Sequence, residues 1–379
     1  MRLAEASQSM RTFRTAVSLH SHTQHSRESL EYLPCQAKHI PLFGAYIQTR
    51  LDRYQQRTGK TVNFRRSYWT PPVSPEIVLG SEREQIEQLG LTPLVSITDH
   101  DNLAAGLSLQ PLATSQAPIP VSVEWSVPWC GDCFHLGVHH LPAAQAASIM
   151  ETLAAWTAHP APGAEPLRDL FAFLSGFPET LLVLNHPCWD VARVGTAHHH
   201  ATLRAFLTEH RAWIHALEVN GLRSWKENRA SLNLAAEYDL PTVAGGDRHG
   251  CRPNTVLNLT SADSWAGFVE EVRRDRHSDI LVLPSYEQPI GLRQLEIVGD
   301  ALRRYPHYPH GRRQFADRTF IDLPGYSVHP LSFYWDRGTP RWLRPILGTF
   351  RVLGSAPMRP ILRRTVFCRA ECDLMVQAD

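Results

Sequence analysis

Histidine and acidic residues recur at the ends of apolar runs along most of the chain. In chain order these residues are His20, His22, Asp99, His100, Glu124, His135, His186, Asp247 and His249. Imidazole and carboxylate groups are ligands that suit zinc, iron and manganese, and one carboxylate can bridge two ions. Ions held in this way activate a water molecule for attack on a substrate. The pattern therefore predicts a hydrolase with a multinuclear metal centre.

The two ends of this series show the same local spacing. His20 and His22 follow a strand-like segment at residues 16–19, and Asp247 and His249 follow another at residues 242–246. Alternate residues of a strand point to the same face, so each pair could chelate one ion from one face. The spacing predicts two bidentate ligand pairs at the ends of strands.

The elements that must position these residues alternate between strands and helices. The sequence Ser74-Pro75-Glu76 predicts a helix start, and that helix is expected to end at Leu89. Ser224 and Glu227 have the spacing of a capping box that opens another helix. Apolar residues at helical spacing predict helices around residues 203–207 and 265–272. Because strands and helices alternate, ligands at the strand ends are expected to meet at the mouth of a barrel.

Six of these segments occur in the order of the motifs of a known family. They are residues 19–23 (LHSHT), 97–101 (ITDHD), 123–124 (VE), 135–137 (HLG), 185–187 (NHP) and 246–249 (GDRH). Together they resemble the successive motifs of the PHP (polymerase and histidinol phosphatase) family, over roughly residues 15–285. The resemblance implies an α/β fold, a distorted (β/α)7 TIM-like barrel, and a metal-dependent phosphoesterase.

The resemblance also implies which residues serve which ion. The residues implied for the first ion are His20, His22, Glu124 and Asp247. Glu124 is implied to bridge to a second ion, whose other ligands are His135 and His186. His100 and His249 are implied for a third ion. The implied cofactors are two or three divalent ions of zinc, manganese or iron.

One position departs from the pattern of the family. Many relatives carry an acidic third-site ligand shortly after the His-x-His pair, and Arg27 falls where many have Asp. His25 or Glu28 could supply that ligand from the same loop, or Arg27 could bind the substrate phosphate beside an incomplete third site. Asp99 is a candidate ligand, with the alternative that it orients a ligand histidine through the second ring nitrogen.

The expected reaction is attack of an activated hydroxide on phosphorus, with loss of an alcohol. Glu124 would bridge the ions, and His249 or His100 would protonate the leaving oxygen. Guanidinium groups stabilise phosphoryl oxygens, and the arginines considered for this role are Arg27, Arg193 and Arg248. The expected substrate is a small phosphorylated molecule, with a nucleotide or oligonucleotide as a further possibility. The alternatives are an amidohydrolase-type C–N hydrolase and a metal-binding scaffold without catalysis.

Length and composition favour one large domain with additions. The chain has 379 residues, 43% of them hydrophobic, and its net charge of +1 argues against a dedicated nucleic-acid binder. The barrel is expected at residues 15–285, with a helical insertion at about residues 31–72 that is either a lid or a surface addition. The C-terminal extension, residues 286–379, is basic and proline-rich. Its stretch from Arg341 to Arg369 has seven arginines and no acidic residue, so it could contact an anionic surface or a partner, or wrap the barrel.

The cysteine content and the N-terminal residues favour a cytoplasmic protein. The seven cysteines are an odd number, and the first residues lack the apolar core of a signal peptide. No window approaches the run of about 20 apolar residues that a membrane helix needs. Cys130 and Cys133 have zinc-knuckle spacing, but without a second pair they are expected to flank a turn between the strands of Glu124 and His135.

Overall fold

The computed structural model describes residues 2–3, 12–31, 43–114, 118–160, 165–335 and 337–366. Within these ranges the chain forms fourteen β-strands and thirteen α-helices. The strands are β1 (Arg2–Leu3), β2 (Thr15–Ser18), β3 (Glu28–Ser29), β4 (Asn63–Trp69), β5 (Thr92–Val95), β6 (Val121–Trp129), β7 (Asp132–Leu141), β8 (Leu181–Asn185), β9 (Ala216–Asn220), β10 (Thr242–Gly245), β11 (Val256–Thr260), β12 (Asp279–Val282), β13 (Thr319–Asp322) and β14 (His329–Pro330). The helices are α1 (Phe43–Thr58), α2 (Pro75–Gln88), α3 (Ala104–Leu109), α4 (Ala146–Ala158), α5 (Glu165–Ser175), α6 (Thr196–His210), α7 (Trp225–Glu237), α8 (Trp265–Arg273), α9 (Ile290–Leu302), α10 (Phe315–Arg318), α11 (Leu331–Tyr334), α12 (Arg344–Leu353) and α13 (Arg359–Thr365).

The strands pair into three sheets. Their orders are β1-β12-β11-β2-β5, β10-β9-β8-β7-β6 and β14-β13-β4-β3. Strand β2 runs parallel to β5, and β8, β9 and β10 run parallel to one another, whereas β7 is antiparallel to both of its neighbours. Pairing between the described strands does not close a single barrel. The architecture is therefore a mixed α/β fold built on two five-stranded sheets and one four-stranded sheet.

The two five-stranded sheets are joined near the carboxyl ends of their strands. Single parallel bridges pair Ser21 with Arg248 and His100 with Glu124. The amide of His22 donates a 2.9 Å hydrogen bond to the carbonyl of Arg248, which extends the first of these bridges. These junctions lie among the predicted ligands, so the backbone that joins the sheets also brings those ligands together.

The largest apolar cluster anchors the strand that carries Glu124. Trp125 is fully buried, and its ring lies edge-to-face on Phe171 at a centroid distance of 5.9 Å. Its indole N–H donates to the carbonyl of Leu153 in α4. Neighbouring residues of a strand point to opposite faces, so Trp125 holds β6 against the helices while Glu124 faces the other way.

Several predicted elements are confirmed. Helix α2 begins at Pro75 and ends at Gln88, although the Ser74 hydroxyl forms no capping hydrogen bond. Helix α7 has the predicted capping box, formed by Ser224 and Glu227. The predicted turn between the strands of Glu124 and His135 is also present, because β6 ends at Trp129 and β7 begins at Asp132.

The third sheet joins the insertion to the C-terminal extension. Strand β4, from the insertion, pairs with β3 on one side and with β13, from the extension, on the other. Residues 32–42 of the predicted insertion and residues 367–379 of the extension lie outside the described ranges. Within the extension, α9 packs against the end of α12 at Gly299 and Gly354. A Cβ atom added to Gly354 would lie 2.7 Å from the Gly299 Cα, so this close approach of the two backbones requires glycine. These contacts join the described part of the extension to the insertion and, through β4, to the segment of Glu28.

Among the described helices, each is too short or too polar to cross a lipid bilayer.

Candidate metal centre

The carboxylate of Glu124 lies at the centre of the predicted ligands and is fully buried. The ring nitrogens nearest to its Oε2 atom are those of His20 at 3.1 Å, His22 at 3.3 Å and His100 at 3.2 Å. Those nearest to its Oε1 atom belong to His135 at 3.3 Å and His186 at 3.1 Å. One carboxylate thus lies between two groups of histidines, with one oxygen directed to each group.

Two further carboxylates complete the cluster. Asp247 Oδ1 lies 3.6 Å from His22 Nε2 and 3.3 Å from His249 Nδ1. Glu28 Oε2 lies 2.9 Å from His249 Nε2 and 3.4 Å from His100 Nε2. The structure therefore places Glu28 where the third acidic ligand was expected, and it places the His25 side chain in none of these contacts.

The donor atoms form four overlapping groups, and within each group they lie within 4.8 Å of one another. The groups are His20-His22-Glu124, His20-His186-Asp247, His100-Glu124-His135 and His22-Glu28-His100-His249. His135 groups with His100 as well, and His186 with Asp247, while both rings face Glu124 Oε1 as the implied second ion requires. Because neighbouring groups share members, the donors make one continuous site.

The chemistry of this donor set fits divalent cations. Glu124 Oε2 and His135 Nδ1 are buried and have no hydrogen-bond partner among the described residues. A buried polar atom without a partner is costly, and a metal ion would satisfy both of these atoms. The carboxylates of Glu28, Glu124 and Asp247, with six imidazoles beside them, are hard and borderline donors of the kind that zinc, iron and manganese accept.

The pKa values within the cluster show how strongly the groups interact. Burial alone would raise the pKa of Glu124, but the imidazoles of His20, His100 and His135 hold it well below its usual range. Burial lowers the pKa of His100, yet the carboxylates of Glu124 and Glu28 outweigh burial and raise it to about 9. The carboxylates are thus anionic at neutral pH, and the positive charge that balances them has to come from protons or from metal ions.

Three ligand candidates have an unusual backbone. His20, His186 and Asp247 have φ angles of 63°, 29° and 55°, in the left-handed region that non-glycine residues seldom adopt. Strands β2 and β10 end at Ser18 and Gly245, before the ligand pairs begin. Each pair therefore lies just beyond its strand, with a left-handed backbone at His20 and Asp247. The two members of each pair still come together, and Arg248 still points away from them, as predicted. Such strain concentrates at functional sites.

Glu218 holds two of the histidines in place, and sequence reasoning missed it. Its Oε1 atom accepts a hydrogen bond from His20 Nδ1 at 2.6 Å, and its Oε2 atom accepts one from the amide of His186 at 2.7 Å. An added Cβ on Gly245 would lie 1.6 Å from Glu218 Oε1, so the approach requires glycine there. The available signal was a carboxylate in the middle of the fully buried strand β9.

Arg223 is the second residue that sequence reasoning missed. Its guanidinium donates to Asp247 Oδ2 at 3.1 Å and lies 3.5 Å above the ring centroid of Trp189. Its Nε atom is buried and has no hydrogen-bond partner among the described residues. The available signal was the position of Arg223 three residues beyond β9, at the edge of the sheet where the ligands gather.

The structure does not support Asp99 as a metal ligand. Asp99 Oδ1 accepts a 2.5 Å hydrogen bond from the amide of Thr23, and Oδ2 accepts a 2.7 Å hydrogen bond from the Thr23 hydroxyl. Asp99 belongs to none of the groups that could hold an ion. Asp99 thus stabilises the turn after His22. The alternative prediction, that Asp99 orients the ring of a ligand histidine, is not supported either.

Two arginines predicted to bind phosphate lie elsewhere. Arg27 is exposed, and its guanidinium lies 5.2 Å from the ring centroid of Tyr68. Arg248 is buried, where its Nη1 atom pairs with Glu82 Oε1 at 2.9 Å and donates to the Ser81 hydroxyl. In this structure Arg27 contacts Tyr68 and Arg248 pairs with Glu82, so the predicted contact of either guanidinium with a substrate phosphate is not supported. Arg193, the third candidate, is exposed.

Replacing Arg248 by methionine tests this correction. The substitution leaves the Glu82 carboxylate buried without its cation, and breaking a buried ion pair costs about 3–5 kcal/mol. We expect the free energy of unfolding in urea to fall by about that amount, whereas KM for a simple aryl phosphate stays unchanged at temperatures where the variant is folded. A raised KM without loss of stability would restore Arg248 to the substrate site.

A separate group of Asp132, Asp190 and His199 does not fit a metal ion. His199 Nδ1 lies 2.8 Å from Asp132 Oδ2, and Nε2 lies 2.9 Å from the carbonyl oxygen of Pro187. Both ring nitrogens of His199 thus have protein partners, and Nε2 must carry a proton because its partner is a carbonyl oxygen. Neither nitrogen is left to bind a metal ion. We assign His199 to holding the segment after His186 against the start of β7.

Comparisons with known proteins give the following findings. No protein-family model matches the chain, and no curated protein matches it. Among solved structures, PsfC from Pseudomonas syringae is 14% identical, with a TM-score of 0.37 over 72% of this chain and 93% of PsfC. A protein named as a metal-dependent phosphoesterase, from Bifidobacterium adolescentis, is 17% identical, with a TM-score of 0.30 over 48% of this chain and 85% of that protein. An amidohydrolase from Chromobacterium violaceum, solved with bound sulfate and no metal, is 16% identical, with a TM-score of 0.35 over 57% of this chain and 88% of that protein. Similarity at this level assigns neither a family nor an activity, which must come from the site itself.

Proposed function

We propose that this protein is a metal-dependent hydrolase of phosphate esters. The observation that carries the proposal is the position of Glu124, whose two carboxylate oxygens face two groups of histidines at 3.1–3.3 Å. A buried carboxylate that can bridge two ions is the central requirement of a dinuclear hydrolase. We further propose that residues 15–285 form the catalytic unit, as a distorted barrel whose sheets meet at the His100–Glu124 and Ser21–Arg248 bridges.

The overlapping donor groups suggest which residues would hold the ions. We assign His20, His22, Glu124, His135, His186 and Asp247 to two ions and Glu28, His100 and His249 to a third, with His22 within reach of the third set as well. When bound, such ions polarise phosphoryl oxygens and lower the pKa of a water molecule, which supplies a nucleophile at neutral pH. The presence of Glu28 beside both His100 and His249 favours three ions over two.

The guanidinium of Arg223 supports a phosphate ester over an amide as the substrate. A phosphate ester brings anionic oxygens, which arginine binds through directed N–H groups. Arg223 already contacts Asp247, and its buried Nε–H lacks a partner among the described residues. The Trp189 ring beneath the guanidinium fixes its plane. We propose that Arg223 orients the phosphoryl group at the ligand cluster.

If the centre holds two ions, proton transfer to the leaving alcohol is assigned to His249 or His100, which would be ligands in a centre with three ions. Their side chains are 12% and 14% exposed, whereas those of His20 and His22 are fully buried. These two rings therefore face the side from which a substrate would enter. In a centre with two ions, His249 would be available to give its proton to the departing oxygen, while Asp247 keeps the ring in place.

Metal removal tests the proposed function. Wild-type protein purified without added ions is assayed for bound metal by mass spectrometry, and for hydrolysis of p-nitrophenyl phosphate and of a matched p-nitroanilide. We expect two or three equivalents of zinc, iron or manganese, and hydrolysis of the phosphate only. Dialysis against a chelator should abolish turnover, and adding back the metal that was found in the purified protein should restore it. Cleavage of the anilide alone would favour a C–N hydrolase, and bound metal without turnover of either ester or amide would favour a scaffold.

A further inference from the structure

A cavity of about 330 Å³ lies beside the candidate metal centre. The segments that follow β9, β10 and β12 line it, including Asp247 and His249 themselves. Strand β11 is antiparallel to both β2 and β12, so the carboxyl ends of β2 and β12 lie at the same edge of their sheet. The cavity therefore opens at the edge where the ligands gather, and its volume is in the range that small-molecule sites occupy.

Part of the cavity wall comes from the C-terminal extension. Glu296 and Asp300, on α9, both line the cavity and are largely buried. Arg252 Nε contacts Glu296 Oε1 at 2.6 Å, and Arg359 donates to the same oxygen. Even so, burial raises the pKa of Glu296 to about 7. Glu296 is thus an acidic group of the cavity wall that lies beside a second carboxylate, Asp300.

Two other side chains present acceptors without partners. The side-chain oxygens of Gln85 and Asn254 are buried and accept no hydrogen bond within the described ranges, and both residues line the cavity. Asn254 is 1% exposed, and its Nδ2 atom already donates to the Ser18 hydroxyl and the Leu19 carbonyl, which fixes the orientation of the amide. A buried acceptor without a partner is unfavourable. Asn254 packs against Gly246, whereas Gln85 is only partly buried, so Gln85 is the residue that could turn its oxygen to an N–H or O–H group of a ligand.

We propose that this cavity binds the alcohol portion of the phosphate ester, and that it selects alcohols that carry hydrogen-bond donors. The inference rests on the proposed function, because the metal ligands Asp247 and His249 set where the phosphate lies. The donors could be hydroxyl groups or an ammonium group. In either case the ester would span from the metal centre to α9, so the C-terminal extension would contribute to substrate selection.

The test compares three esters: p-nitrophenyl phosphate, whose alcohol has no donors, glycerol 1-phosphate, with hydroxyl donors, and phosphoethanolamine, with an ammonium donor. Gln85→Leu removes one acceptor at nearly constant volume, and Gln88→Leu, at an exposed position of the same helix, is the matched control. We expect Gln85→Leu to lower kcat/KM for at least one donor-bearing ester by about three- to tenfold, the effect of one lost hydrogen bond. The control and the aryl phosphate should be unaffected.

Glu296→Gln separates the two kinds of donor. A larger loss for phosphoethanolamine than for glycerol 1-phosphate would identify an ammonium ligand, and equal losses would identify hydroxyl groups. Equal changes for all three esters in Gln85→Leu, or no change for any, would overturn the inference while leaving the hydrolase intact. If wild-type protein cleaved none of the three esters, the proposed function itself would fail, and the inference with it.

Discussion

Replacing Glu124 by glutamine is expected to abolish hydrolysis and to reduce bound metal to one equivalent or less. Glutamine keeps the volume but loses the charge, and its amide nitrogen would face one group of histidines as a donor where a ligand is needed. Losing the group that joins two ions removes several kcal/mol of transition-state stabilisation, or about 10³-fold or more in kcat/KM. Metal analysis by mass spectrometry, together with the rate on an aryl phosphate, measures both effects.

Two controls accompany this substitution. Glu84→Gln, on the exposed face of α2, makes the same chemical change away from the cluster and should leave metal content and rate unchanged. Thermal unfolding of chelated wild type and chelated Glu124→Gln shows whether the variant is folded. If folded Glu124→Gln kept two equivalents of metal and wild-type turnover, Glu124 would not be the bridging ligand.

Replacing Glu218 by glutamine is expected to weaken metal binding by about 10- to 100-fold, the usual effect of removing a group that orients a ligand histidine. The two oxygens of Glu218 accept from His20 Nδ1, from the amide of His186 and from the Asn220 side chain. Glutamine would set an N–H against one of these donors. Titration with a fluorescent competing chelator measures the affinity.

At saturating metal, Glu218→Gln should recover much of its activity, because Glu218 itself is not placed as a ligand. This recovery separates it from Glu124→Gln, where added metal should not restore turnover. Glu237→Gln, exposed at the end of α7, is the matched control. Unchanged affinity in Glu218→Gln would show that His20 keeps its orientation through other contacts.

The residues at the centre of the site were within reach of sequence reasoning. His20, Glu124 and Asp247 each follow or end an apolar run, and such runs are readable because buried strands exclude charged side chains. Glu28 was also named, as a substitute for an acidic ligand displaced by Arg27. The helices with strong caps or clear periodicity, such as α7 and α8, were predicted for the same reason: their signals are local.

What escaped sequence reasoning depends on contacts between distant segments. The carboxylate of Glu218 meets a histidine 198 residues away, and Arg223 meets the Asp247 carboxylate across a sheet edge. The sharing of ligands between neighbouring groups was also unpredictable, because His135 and His186 are set by the pairing of β7 with β8 and by a left-handed turn. Arg248 could not be distinguished from a phosphate ligand until its partner Glu82, in α2, was known.

The strand pairing around Glu28 has a consequence for biosynthesis. Glu28 pairs with Trp69 of β4, and Trp69 pairs in turn with Thr319 of β13, near the end of the chain. A nascent chain that has released only its first 285 residues already carries every ligand candidate, but it lacks the strand that borders β4. Because synthesis proceeds from the N-terminus, β4 can gain this second neighbour only after residue 322 has left the ribosome. The sheet that carries Glu28 is therefore among the last parts of the fold to be completed.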